Sequence, residues 1–229
     1  MYHRVLLKIS GEALSSETSV ICRETVQHTA QRIKAVWQKN VQIGIVVGGG
    51  NIMRGRSAEG MERNRADYMG MLATAINSLA LQDALERISV PCVVQSAVDM
   101  DRFCDSFSAR SAKQALDEGR IVIFACGSGC PFFSTDTAAA LRAAEIGADA
   151  LLLAKNVDAV YSADPKTNPK AIRYGRISYD RVVAENLRAT DLTAITLCKE
   201  QKIPIRVFAL DQIEEIFENE SIGTHITEK

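Results

Sequence analysis

The chain has no surplus of charge of either sign: 27 Lys and Arg stand against 28 Asp and Glu, a formal net charge of −1 over 229 residues. That balance supplies no sequence-wide positive field for a nucleic-acid backbone, so no nucleic-acid partner is expected. Long hydrophobic runs are missing as well. None approaches the roughly 20 apolar residues of a membrane-spanning helix, and the apolar run near the start is too short for a signal peptide. The expectation is a cytoplasmic protein with no membrane contact. Histidine is scarce, with His3, His28 and His225 far apart, and the six cysteines are scattered through apolar surroundings where reduced thiols act as small hydrophobes. Cys126 and Cys130 have no second Cys or His pair at ligand spacing, which argues against a cysteine-built metal site. Repeats and low-complexity segments are absent too.

What is present is an ordinary globular composition, 47% hydrophobic and 24% charged, without the compositional shift that marks a second domain. One domain over 1–229 is expected. Short apolar runs at Arg4–Ile9, Val41–Val47, Cys92–Gln95, Ile121–Ala125, Ala150–Leu153 and Ile205–Phe208 alternate with helical patterns. Near-continuous Val, Ile and Leu runs belong to strands buried on both faces, so the fold class is α/β, a three-layer α/β/α sandwich around a mainly parallel sheet.

The helical patterns differ in character. Val26, Ala30, Ile33, Val36 and Trp37 recur at helical spacing and predict a helix over Glu24–Gln38 with Trp37 in the core. Asp67–Glu86 puts Met69, Leu72, Ala75, Ile76, Leu79 and Leu85 on a broad apolar face, and a helix with so little charge is either deeply buried or an oligomer contact. Thr135–Ile146 is Ala-rich and ends at Gly147, a good stop because glycine tolerates the left-handed conformation. Asp211 and Glu214 have the spacing of a capping box opening a last helix, Gln212–Asn219.

Four strand ends carry the chemistry. Lys8 and Ser10-Gly11 follow the first strand; parallel sheets bind ligands at that edge, although a strand-end lysine by itself reads as a solvated one. Gly48-Gly49-Gly50 follows the second strand, and three residues without β-carbons let backbone N–H groups approach an anion, with Arg54 four residues on to add a permanent charge. This is neither Gly-x-x-x-x-Gly-Lys-Ser/Thr nor Gly-x-Gly-x-x-Gly. A third loop, Gly127-Ser128-Gly129-Cys130-Pro131-Phe132-Phe133-Ser134-Thr135-Asp136, runs into a helix start whose unpaired N–H groups and dipole suit phosphate. Capping alone accounts for Thr135 and Asp136, and the two Phe read equally as core plugs or as a platform for a base. A fourth loop brings Lys155, Asn156, Tyr161 and Asp164. Taken together, these loops point to phosphate handling on one rim.

The motifs Lys-Ile-Ser-Gly-Glu-Ala-Leu (8–14), Gly-Gly-Gly-Asn-Ile-Met-Arg-Gly (48–55), Asp-Tyr-Met-Gly-Met-Leu-Ala-Thr (67–74), the loop over 127–139, Val-Asp-Ala-Val-Tyr-Ser-Ala-Asp-Pro (157–165) and Ile-Pro-Ile-Arg-Val-Phe (203–208) occur in an order that resembles the bacterial uridylate kinases of the amino-acid kinase family, over nearly the whole chain. That resemblance implies transfer of the ATP γ-phosphoryl group to UMP in pyrimidine nucleotide synthesis, with Mg²⁺, in a homo-oligomer of hexameric type built from dimers. It places Lys8, Ser10, Gly11, Gly50 and Arg54 at the ATP phosphates, and Lys155 or Asn156, Tyr161 and Asp164 at the nucleoside end. It encloses UMP with Gly49, Asp67, Ser128, Gly129, Cys130, Pro131, Phe132, Phe133, Ser134 and Thr135. Asp191 matches an aspartate near the reacting phosphates and is expected to orient a lysine or the metal. Catalysis falls to Lys8, Asp191 and Lys155.

Cys130 stands where the family has asparagine, Ala159 where it has glycine, and Leu153 where many members have lysine. Side chains two apart on a strand share a face, so Lys155 is positioned to supply the ammonium that Leu153 lacks. Two rival readings use the same motifs: an amino-acid kinase with another small acceptor, and a binding or storage protein on the same scaffold.

Overall fold

A computed structural model describes residues 2–53, 60–187 and 190–228. The strands are β1 (Arg4–Ile9), β2 (Gln42–Val47), β3 (Cys92–Ser96), β4 (Asp105–Ser106), β5 (Ile121–Ala125), β6 (Ala150–Lys155), β7 (Val160–Tyr161), β8 (Arg173–Tyr174), β9 (Arg176–Ser178), β10 (Ile205–Ala209) and β11 (Thr224–Thr227). The helices are α1 (Arg23–Trp37), α2 (Arg63–Arg87), α3 (Ala109–Asp117), α4 (Thr135–Ile146), α5 (Tyr179–Ala184) and α6 (Leu192–Glu200).

Nine strands form one sheet in the order β4-β3-β5-β2-β1-β6-β10-β11-β9. Neighbours run parallel except β10 and β11. Alternation along β1 sends Val5, Leu7 and Ile9 into a core shared with α1 and α2, and Leu6 into a second core built with α3 to α6. Full burial of such side chains contributes about 1.5–3 kcal/mol each. The expected three-layer sandwich is therefore observed. Because β2 lies on one side of β1 and β6 on the other, the carboxyl end of β1 is a topological switch point, where sheets of this kind open a crevice.

Three local expectations need correction. Trp37 sits at the rim of the core, partly buried, with its indole N–H donating to the Gly119 carbonyl at 2.9 Å. The segment after β10 forms two short 3₁₀ turns, Leu210–Gln212 and Glu215–Phe217, in place of a capped helix. Buried Ile213 and Ile216 are three apart, the period of such turns, and Arg206 binds the Ile216 and Asn219 carbonyls at 2.5 and 2.6 Å, which a continuing helix would need. In the N-terminal part of α2 the buried stripe is of small or polar residues, with Ala73, Thr74, Asn77 and Ser78, while Tyr68, Met69, Leu72 and Ile76 are 44–51% exposed. Ala75 and Leu85 of the expected apolar face do point inward.

Candidate active site

Lys8 is the last charged residue of β1 and is only 7% exposed. It pairs directly with Leu153 on β6, and Lys155 lies two residues further along on the same face. Both ammonium groups consequently face α4, whose second residue is Asp136. Lys8 Nζ lies 2.7 Å from one Asp136 oxygen and Lys155 Nζ 2.7 Å from the other, with the Thr190 hydroxyl donating to the latter at 2.8 Å. Burial alone would push the Asp136 carboxyl up, but the two ammonium groups hold it well below the usual carboxylate range. Burial pulls Lys155 below an ordinary lysine, and Asp136 opposes that pull. Each ammonium carries three donors and uses one on Asp136, so the pair can address a further anion.

Two cavities open on either side of this group. The first, about 470 Å³, is lined by Lys8, Gly49, Gly50, Asp67, Ser128, Cys130, Phe133, Ser134, Thr135 and Asp136. Lys8, Gly50 and Ser134, predicted from three separate loops, thus share one space. The second, about 490 Å³, is lined by Lys155, Tyr161 and Asp164, together with Ala159, Glu185 and Asn186. Each volume suits one small ligand. Lys8 and Gly50, expected with ATP, lie in the first cavity, and Ser10 and Gly11 form the turn that leaves β1. Asn156 is turned to Glu12, 2.7 Å away, and is not part of the second cavity wall. Arg54 lies outside the described residues.

The inner stripe of α2 fastens the loops of the first cavity. A β-carbon on Gly49 would stand 2.7 Å from the Gly70 carbonyl and 2.9 Å from Ala73 Cβ, so helix and glycine turn meet at a distance only glycine permits. Asp67 accepts from the Phe132 backbone N–H and from Arg63 Nε, both at 2.8 Å, and the Arg63 guanidinium lies 5.5 Å from the Phe132 ring centre. Thr74 accepts from the Cys126 backbone N–H at 2.8 Å. Cys126 and Phe132 have φ of 60° and 70°, a left-handed backbone uncommon for side chains of their kind. Both strained N–H groups are held by α2, so the helix maintains the loop in a shape it would not adopt alone. Phe132 and Phe133 are 62% and 53% exposed, so neither ring plugs the core. Gly129, at φ 79°, brings its backbone against Ala97, and Pro131 precedes the strained Phe132.

At the start of α4, Ser134 is the N-cap and accepts from the N–H groups of Asp136 and Thr137 at 3.1 Å. Its hydroxyl donates to Asp191, as does that of Thr137 at 3.0 Å, and Asp191 caps α6 through the Ala194 N–H at 2.8 Å. Asp191 therefore grips the hydroxyls of α4 instead of a lysine side chain, although its charge favours the protonated form of nearby Lys155. Of the departures from the family pattern, Leu153 is fully buried in the core, Ala159 lines the second cavity and Cys130 the first. Sequence reasoning missed Asp136 as the partner of both lysines, Arg63 and Thr74 on α2, and Glu185 with Asn186. The one usable signal was that two strand-end lysines facing one helix start require a carboxylate there.

A parallel α/β fold with a lysine-carboxylate-lysine group at its switch point and a glycine turn beside it defines a phosphoryl-handling protein of the amino acid kinase type. The model of the amino acid kinase family matches residues 3–209, and the chain belongs to that family. Within it, the chain is similar to the UMP kinase of Bacillus anthracis, with TM-score 0.96, 36% identity and coverage of 100% of this chain and 97% of that one. It is similar as well to the UMP kinase of Ureaplasma parvum, with TM-score 0.93, 38% identity and full coverage of both chains (100% and 100%). The uridylate kinase of Archaeoglobus fulgidus matches with TM-score 0.74 and 30% identity over 97% of this chain and 99% of that one.

Proposed function

We propose that the chain is a UMP kinase, transferring the γ-phosphoryl group of ATP to UMP to form UDP in the cytoplasm, as a step of pyrimidine nucleotide synthesis. The observation that carries this reading is the pair of ion pairs through Asp136 that links Lys8, in the lining of the first nucleotide-sized cavity, to Lys155, in the lining of the second. UMP would occupy the first cavity, enclosed by Gly49, Asp67 and the loop over 128–135, with its phosphate toward Lys8 and the α4 N-terminus. ATP would place its nucleoside against Tyr161 and Asp164 and its phosphates toward Lys155 and the glycine turn.

Phosphoryl transfer spreads negative charge over the moving group, so the protein's task is positioning and charge stabilisation. Lys8 and Lys155 supply positive charge from both sides of the transfer path, and Asp136 fixes the two ammonium groups and opposes the loss of charge that burial favours at Lys155. Asp191 holds Ser134 and Thr137, and so the α4 N-terminus, in register with Lys8. Both Asp136 oxygens are taken by ammonium groups, and Asp191 is engaged by hydroxyls and an amide. That donor set suits a Mg²⁺ ion carried on the ATP phosphate oxygens. When bound, the ion neutralises phosphate charge.

The reading extends to assembly. The exposed apolar stripe Tyr68, Met69, Leu72 and Ile76 on the outer face of α2 fits a second copy of the chain, in keeping with the hexamer built from dimers that the resemblance implies. The function is tested by incubating the purified protein with ATP, Mg²⁺ and a panel of acceptors that includes UMP, CMP, carbamate and isopentenyl phosphate. UDP is the expected product; turnover of another acceptor alone would replace the reading.

A further inference from the structure

Asn77 is fully buried on α2, and a buried carboxamide must find partners for its donors and acceptor. Its Nδ2 donates to the Gly48 carbonyl at 2.7 Å and to Asn51 Oδ1 at 2.7 Å, while Asn51 Nδ2 returns a bond to Asn77 Oδ1 at 3.1 Å. Asn51 Nδ2 also reaches the Val20 carbonyl at 2.6 Å. The two side chains thus form a reciprocal amide pair that brackets the glycine turn, with Asn77 at its first residue and Asn51 at its far end. Gly11 completes the bracket: a β-carbon there would stand 2.1 Å from Asn51 Oδ1 and 2.7 Å from the Gly48 carbonyl.

We propose that Asn77 is a positioning residue for phosphoryl transfer, whose buried amide fixes the orientation of the Gly48–Gly49 peptide and with it the anion-facing edge of the glycine turn. A trans peptide is planar, so its carbonyl and its N–H point in opposite directions. Holding the Gly48 oxygen on Asn77 sets the Gly49 N–H on the side away from α2's amide, and Gly49 and Gly50 line the cavity. The same helix face fixes the third loop through Asp67 and Thr74; Asp67, Thr74 and Asn77 are seven and three residues apart, about two turns and one, which keeps these contacts on one stripe. One rigid helix therefore sets the spacing between the glycine turn and the loop entering α4.

This inference rests on the proposed UMP kinase activity, and its test separates the two. Asn77→Asp keeps the shape and the acceptor but loses both donations. Compared with a wild type that forms UDP, the variant is expected to lose about 10- to 100-fold in kcat, as when one preorganised contact is removed, with KM for ATP and UMP each within about threefold. A buried carboxyl has a raised pKa, and once protonated it can donate again; the variant should therefore recover relative to wild type as pH falls from about 8 to about 6. If Asn77→Asp does not fold, Asn51→Ala removes the reciprocal partner and should lower kcat about 3- to 10-fold with the same small change in KM. A lower melting temperature with unchanged kcat, or a rise in KM alone, would overturn the positioning role. A wild type that forms no UDP would overturn the parent reading, and this inference with it.

Discussion

Lys8 and Lys155, on adjacent parallel strands, hold opposite oxygens of one carboxylate, that of Asp136, at 2.7 Å each. Because the lysines hold folded Asp136 below the usual carboxylate range against the effect of burial, its ionisation stabilises the fold. That contribution is complete above the unfolded carboxylate value near pH ~3.9 and is lost as pH falls below it toward the depressed folded value. Urea unfolding of wild type and Asp136→Asn across pH should show a stability gap that is constant near neutrality and narrows below about pH 4. A gap unchanged into strong acid would mean that the ion-paired group is not what Asp136 contributes.

Beneath the two lysines the core is filled by Leu6 and Leu153. Lys8→Ala should lower kcat by roughly two decades or more, as loss of a preorganised charge does, with a smaller change in KM. Steady-state kinetics decide the matter, and an effect confined to KM would remove Lys8 from the transition state. Lys155→Met should also lose most of its turnover; near-normal activity would show that Lys155 does not replace the ammonium absent at Leu153.

Asp67 joins α2 to the strained Phe132 and to Arg63. Asp67→Asn removes the charge from both bonds, and a charge-assisted bond is worth about 1.5–3 kcal/mol. The expected outcome is a rise in KM for UMP of roughly tenfold or more with KM for ATP within about twofold. Equal changes for both nucleotides would deny the first cavity its acceptor role.

The outer stripe of α2 makes a separate prediction about assembly. Leu72→Glu with Ile76→Glu places charge in the middle of an apolar face while leaving the inner stripe of Asp67, Thr74 and Asn77 untouched. Sedimentation should report a smaller species than wild type. An unchanged wild-type oligomer would locate the contact elsewhere.

The parallel sheet was legible in the sequence because its strands are buried on both faces and read as continuous Val, Ile and Leu runs. β1 and β5 were placed with their observed ends, and α4 between its Ser134 cap and Gly147, where φ is 68°. The two- to four-residue strands β4, β7, β8, β9 and β11 escaped because so few residues carry no period. The faces of α2 escaped for another reason. In its N-terminal part the bulky apolar residues Tyr68, Met69, Leu72 and Ile76 point outward and small or polar ones inward, where they bind loops, and only further along do Leu81 and Leu85 fill the core in the usual way. At the site, glycines and lysines announced themselves by type and place. Asp136 did not, because a carboxylate beside a helix start is also what ordinary capping provides; only the third dimension puts it between Lys8 and Lys155.

The central claim, that two adjoining cavities hold two nucleotides around one ion-paired group, is tested most directly by calorimetry with a bisubstrate dinucleotide in which uridine and adenosine are joined through their 5′ positions by a polyphosphate chain. The expected result is one molecule bound per chain, more tightly than either ATP or UMP, with each nucleotide displaced by it and with binding weakened in Lys8→Ala. Simultaneous binding of the dinucleotide and free UMP, or affinity no better than that of ATP, would contradict the claim that the two nucleotides meet at Lys8, Asp136 and Lys155.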